Sequence, residues 1–149
     1  MDDLQGTSYG TKIVLWRGSV SELRRQFHVI VVDDEIIIAS TLATILQRNG
    51  FDAVSFTDPL QALAAARLKA PDLLITDVVM PGLSGIDLAI EVTKSVPDCR
   101  VLLFSGQAAT ANLLQVAREK GHDFELLSKP IHPTDLLRKI GSVREEVVL

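Results

Sequence analysis

Three aspartates, a serine and a lysine stand at the ends of short apolar runs. Between them they carry the groups needed to move a phosphoryl group onto a carboxylate. Asp33 and Asp34 follow His28 to Val32, and Asp77 closes the run that starts at Asp72. Ser105 follows Arg100 to Phe104, and Lys129 follows Phe124 to Ser128. Each has an ordinary reading by itself. Acidic pairs cap helices, a serine before glycine makes a turn, a lysine before proline points to solvent, and Asp77 precedes a Pro-Gly loop. Together they point to one mechanism. An aspartate nucleophile needs its own charge and the phosphoryl charge offset at the same time. Mg²⁺ does this with one or two carboxylates, phosphate oxygens and water. Asp33 and Asp34 are placed to hold that ion directly or through water, and Asp77 would complete the coordination as well as attack. Lys129 supplies a mobile point charge and Ser105 a hydroxyl donor. Backbone N–H groups after Asp77 and around Gly106 add to the cradle. Such sites work by positioning and electrostatics.

These residues meet only if the apolar runs become parallel strands. His28 to Val32 is continuous and mostly β-branched, as suits a strand buried on both faces. Ile38, Leu42, Ile45 and Leu46 follow at helical spacing, and Asn49-Gly50 ends that helix. Phe51 to Phe56 reads as a second, more alternating strand. Asp58 and Pro59 open an alanine-rich helix as cap and first turn, stopping near Ala70-Pro71. Asp72 to Asp77 is the third strand, and Met80 to Gly85 a loop of turn residues. Ile86 to Ser95 is the third helix, with Ile86, Ala89 and Ile90 on one face. Arg100 to Phe104 is the fourth strand, Gln107 to Lys120 the fourth helix, and Phe124 to Ser128 the fifth strand. Pro133-Thr134-Asp135 starts a last helix with the stripe Leu136, Leu137, Ile140 and Val143. Five alternations with short loops imply an α/β doubly wound parallel sheet with helices on both faces. In that architecture ligands bind beyond the carboxyl ends of the strands, where the five polar residues lie.

Composition narrows the classes. Of 149 residues, 47% are hydrophobic and 23% charged, enough for a core without metal or disulfide staples. A net charge of -4 and no basic run longer than Arg24-Arg25 argue against direct nucleic-acid binding. The single Cys99 cannot pair internally and reads as a small apolar residue in a reducing compartment. With neither a membrane-length apolar stretch nor a signal-peptide start, the expected location is cytoplasmic, with no membrane partner. Neither a GxGxxG nor a GxxxxGK[ST] run follows the first strand, against nucleotide binding. His28, His122 and His132 share no metal-ligand spacing. Residues 1–27 are expected to form a loosely attached extension, with a capping box that would start a short helix over Val20 to Gln26.

Val31-Val32-Asp33-Asp34-Glu35, Thr76-Asp77-Val78-Val79-Met80-Pro81-Gly82-Leu83-Ser84-Gly85, Phe104-Ser105-Gly106 and Ser128-Lys129-Pro130 resemble, in order and spacing, the receiver domain of two-component response regulators. The resemblance covers about His28 to Glu146. It implies a flavodoxin-like receiver fold with strand order 2-1-3-4-5, a domain over 28–146 and a tail over 147–149. It implies that Asp33 and Asp34 bind Mg²⁺, that Asp77 is phosphorylated, and that the Val79 backbone carbonyl is a metal ligand. Ser105 becomes the switch hydroxyl and Lys129 the invariant lysine, often followed by a cis proline as at Pro130. The implied donor is a phosphohistidine on a sensor histidine kinase or phosphotransfer protein. The implied output is phosphorylation-controlled binding of a protein target, through the fourth helix, fifth strand and fifth helix. That face is also a candidate for homodimerisation. Only a few residues follow the last helix, so a stand-alone receiver is expected, and no enzyme beyond self-catalysed phosphoryl transfer and autodephosphorylation. Two departures stand out. Leu126 occupies the position, three before the lysine, where the family commonly has an aromatic switch residue; the nearest aromatic is Phe124. The segment from Gly121 to Lys129 is one residue longer than the common pattern. An interaction module not switched by phosphate therefore stays open. So does, more remotely, a Mg²⁺-dependent phosphohydrolase, although such enzymes usually place nucleophile and acid two apart after the first strand.

Overall fold

A computed structural model describes residues 26–106 and 110–148. The expected helix over Val20 to Gln26 therefore lies, apart from an exposed non-helical Gln26, outside the described residues. Five strands alternate with five helices: β1 (His28–Val32), α1 (Ile36–Arg48), β2 (Asp52–Phe56), α2 (Pro59–Leu68), β3 (Leu73–Asp77), α3 (Gly85–Ser95), β4 (Arg100–Ser105), α4 (Thr110–Glu119), β5 (Glu125–Ser128) and α5 (Pro133–Val148). All strand pairs are parallel, and the sheet order is β2-β1-β3-β4-β5. This is the doubly wound architecture and the strand order expected from sequence.

Strand composition follows position in the sheet. β1 and β3 are interior strands, and every residue in them is buried. The edge strands carry mixed sequences, with β2 partly and β5 largely exposed. Alternation along the interior strands divides the core into two layers. Ile30, Val32, Leu74 and Leu103 pack against α2, α3 and α4. Val29, Val31, Leu73, Ile75, Leu102 and Phe104 pack against α1 and α5. Phe27, just before β1, belongs to this second layer and meets Phe51 edge-on at 6.0 Å between ring centroids.

The helices start where their caps put them. The Asp58 carboxylate accepts the Leu60 N–H at 2.9 Å with Pro59 in the first turn, so α2 opens as the Asp-Pro pair predicts. Ser84 accepts the Asp87 N–H at 3.1 Å and opens α3. The α1 stripe is confirmed for Leu42 and Leu46, with Ala39 and Ala43 completing the buried face and Ile38 half-buried. On α5, Leu136, Ile140 and Val143 are buried and Leu137 is partly so.

Four strand boundaries differ from expectation by one residue: β2 begins at Asp52, β3 at Leu73 and β5 at Glu125, and β4 runs on to Ser105. Phe124 lies outside β5, which begins at Glu125. Its ring stacks on His122 with centroids 5.6 Å apart and packs partly into the α2–α3–α4 layer. Burying that ring under α4 conflicts with holding it in an exposed edge strand, and packing wins.

Leu46 is fully buried and Leu68 is 90% exposed at the end of α2. Leu46→Ala should cost about 2–5 kcal/mol in urea unfolding, whereas Leu68→Ala should stay within about 0.5 kcal/mol of wild type.

Candidate functional site

The strand registers bring the polar residues together. Val32 pairs with Thr76, so Asp33 and Asp77 are next in line on adjacent strands. Asp77 pairs with Phe104, and Ser105 with Ser128, which places Lys129 next on the far side. Asp33, Asp34 and Asp77 each offer an oxygen within 4.8 Å of the others. Asp33 is fully buried. One of its oxygens accepts the Glu35 N–H at 2.9 Å, and the other takes the Lys129 ammonium at 3.0 Å. The same ammonium lies 3.4 Å from an Asp77 carboxylate oxygen. Lys129 thus bridges Asp33 and Asp77, and its Nζ sits 5.6 Å from the centre of the Phe104 ring. Asp34 is exposed at the rim. Ser105 is buried at the end of β4, and its carbonyl accepts the Lys129 N–H at 3.1 Å. The Lys129–Pro130 peptide is cis, as the resemblance implies.

The electrostatics match this crowding. Burial raises the pKa of Asp77 and the charge of Asp33 adds to it, although Lys129 pulls the other way. For Lys129, burial favours the neutral amine, but the Asp33 hydrogen bond and charge and the Asp77 charge outweigh it, so its pKa rises. Three carboxylates against one ammonium leave a deficit of two positive charges. The donors are hard oxygens, close together and opening to solvent at Asp34, which fits a divalent cation such as Mg²⁺.

All four charged candidates from the sequence meet here, and Ser105 ends the intervening strand. Val79 follows Asp77 by two residues with its side chain exposed. The histidines are held elsewhere by local partners. His28 Nδ1 lies 3.0 Å from both the carbonyl and the carboxylate of Asp52, and the His132 Nδ1 accepts the Thr134 N–H. The Cys99 thiol is pushed up to about 12 by burial, in keeping with an apolar role. Thr76 and Gly85, which pack around the Asp77 backbone, were not singled out from sequence for a role. Thr76 looks like any β-branched strand residue, and close packing at Gly85 shows only in three dimensions.

The response regulator receiver domain family model matches residues 29–141. The chain belongs to that family, whose members are signalling modules of two-component systems. The DNA-binding response regulator MtrA of Mycobacterium tuberculosis is 30% identical over 112 residues, covering 75% of this chain and 48% of MtrA. The probable transcriptional regulatory protein TcrX of the same organism is 29% identical over 115 residues, covering 77% of this chain and 48% of TcrX. The chain thus spans about half the length of these relatives. Among solved structures, the chemotaxis protein CheY4 of Vibrio cholerae has a TM-score of 0.72 at 26% identity, covering 80% of this chain and 99% of CheY4. A CheY-like receiver domain protein from Methanospirillum hungatei shares the fold, with a TM-score of 0.75 at 24% identity over 83% of this chain and 97% of that one. Receiver domains typically bind Mg²⁺ through acidic residues, and the aspartate cluster has the composition for it.

An acid with a raised pKa binds its proton more tightly folded than unfolded. Stability therefore falls as pH rises through that window, and the ionised Asp77 costs stability at neutral pH. In EDTA, Asp77→Asn should stabilise the fold at pH 7 by about 1 kcal/mol. That gain should shrink as pH falls through the carboxylate range. Lys129→Met leaves the buried Asp33 without its ammonium and should cost about 1–3 kcal/mol. Urea titrations across pH check both signs.

Proposed function

We propose that Asp77 accepts a phosphoryl group from a phosphohistidine on a sensor histidine kinase or histidine phosphotransfer protein. The observation that carries this reading is the single ammonium of Lys129 held between Asp33 and Asp77. Such a cation can follow negative charge from the resting carboxylates to an incoming phosphoryl oxygen. An Asp77 oxygen attacks phosphorus, the new O–P bond forms, and the P–N bond breaks with its electron pair returning to the donor imidazole. Lys129 shifts towards a phosphoryl oxygen, and the Ser105 hydroxyl donates to another. Mg²⁺, held by Asp34, Asp77 and the Val79 carbonyl with Asp33 acting mainly through water, would neutralise charge on the transferring group. Both Asp33 oxygens already accept hydrogen bonds, which favours the indirect role.

The phosphodonor has to reach this edge. Ile36 and Ile37 are exposed beside the acidic pair. A groove of about 490 Å³ opens between α1 and the loop after Lys129, lined mainly by Ile37, Ile38, Leu42, Pro130 and Ile131. This apolar surface suits a protein donor better than a small metabolite. The output surface in this reading is α4–β5–α5, where Leu113, Val116 and Leu126 are exposed. A target protein or a second copy of the chain would bind there. The functional unit in this reading is the expected 28–146 domain, extended by Phe27, which packs into the core, and by the end of α5, which runs to Val148. A cytoplasmic address accords with this role. Among the described residues, no helix is long and apolar enough to cross a membrane.

The second reading, a receiver-type interaction module indifferent to phosphate, draws on β5. Its residues Glu125 to Ser128 include no aromatic, and Leu126 faces outward. The two readings part on one experiment. With Mg²⁺ and acetyl phosphate, the wild type should gain the mass of one phosphoryl group, Asp77→Asn should not, and EDTA should abolish the gain. Equal labelling of Asp77→Asn would sink the acceptor assignment. Partner capture that ignores phosphorylation would favour the interaction module.

A further inference from the structure

We propose that Thr76 and Gly85 are positioning residues that clamp the backbone carrying Asp77 towards Val79. This rests on the reading of Asp77 as the phosphoryl acceptor. Thr76 is fully buried in β3, and its hydroxyl donates to the Asp77 carbonyl at 2.9 Å. That carbonyl lies beyond the last β1–β3 pair, Val32 with Thr76, so pairing with β1 has ended there while Asp77 still pairs with Phe104 of β4. Valine would fill the same volume without the donor.

Gly85 meets the same carbonyl. A Cβ there would overlap the Asp77 carbonyl oxygen and crowd the Val78 Cα, both backbone atoms that cannot swing aside. The start of α3 therefore rests directly on the acceptor's peptide, and any side chain at position 85 would push them apart. The neighbouring polar groups are tied as well. The Val78 N–H donates to the Phe104 carbonyl at 3.1 Å, and the Val78 carbonyl accepts the Gly85 N–H at 2.8 Å. From the Asp77 carbonyl to the Val78 carbonyl, each backbone polar group has a fixed partner before the chain turns outward at Val79. Asp77 has to point its carboxylate at phosphorus within a fraction of an ångström, and small misplacements are costly in such reactions. Three hydrogen bonds and one close backbone contact thus fall on two residues, beside the reacting carboxylate.

The test compares wild type with Thr76→Val, Thr76→Ser and Gly85→Ala. Three quantities are read: the Mg²⁺ dissociation constant by titration calorimetry, the rate of mass gain with acetyl phosphate, and hydrogen exchange of the 78–83 amides in EDTA. Thr76→Val should weaken Mg²⁺ binding and slow phosphorylation about tenfold, the usual effect of losing a group that orients metal ligands. Exchange should rise in 78–83 while the β1 amides stay protected. Thr76→Ser keeps the donor and should recover all three. Gly85→Ala should slow phosphorylation at least as much. Thr76→Val matching a phosphorylated wild type, or Thr76→Ser failing to rescue, overturns the clamp and leaves the acceptor reading intact. A wild type that gains no phosphate on Asp77 overturns the acceptor reading, and this one with it.

Discussion

The Lys129 ammonium holds together a sheet edge that would otherwise repel itself. Asp33 is fully buried and Asp77 nearly so, and burial together with the neighbouring charge of Asp33 disfavours ionisation of Asp77. Lys129 contacts both, from a strand that lies beyond β4 and β3 in the sheet. A lysine suits the task because its long stem crosses the sheet edge over the Phe104 ring and still leaves a mobile point charge. The bridge depends on strand order. With β1 and β3 adjacent, the acids converge; with β5 outside β4, Ser105 falls between the acids and the lysine.

Such a site is a local liability held by a core built for the purpose. Two apolar layers sandwich the interior strands, so β1 and β3 cannot shift to relieve the crowding at their ends. Backbone ties extend that rigidity past the last strand residue. Thr76 and Gly85 secure the Asp77 carbonyl, while the Gly85 N–H holds the Val78 carbonyl. Beyond Val78 the chain turns outward at Val79 and returns to the core at Met80. Val79 is exposed, and the loop turns at Gly82, whose φ of 81° is reached at low cost only by glycine.

The far side of the domain is built differently. β5 is a short edge strand with exposed residues, and Leu126 stands outward where relatives of this family commonly carry an aromatic. Phe124 is committed to packing under α4 and to stacking on His122. β5 thus carries no ring that could couple Ser105 to the α4–β5–α5 face, and the contact of Ser105 with the segment after β5 is the backbone hydrogen bond from Lys129.

Much of this was legible in the residues themselves. The β-branched run at His28 to Val32, the Asp58-Pro59 helix start and the α5 stripe are local patterns, set by backbone sterics, capping and burial of one face. The convergence of the polar residues was legible too, because parallel strands joined by helices must present their carboxyl ends on one edge, where Asp33, Asp34, Asp77, Ser105 and Lys129 lie. Other features were decided only by the tertiary structure. Whether Phe124 would join β5 or the core depended on competition between an edge-strand position and packing against the α2–α3–α4 layer. The Thr76 hydroxyl acquired its acceptor because β1–β3 pairing stops one residue earlier. The sharing of one ammonium between Asp33 and Asp77 depended on how far each strand end sits from the next. These are distances between segments remote in the chain, and no local pattern of residues encodes them.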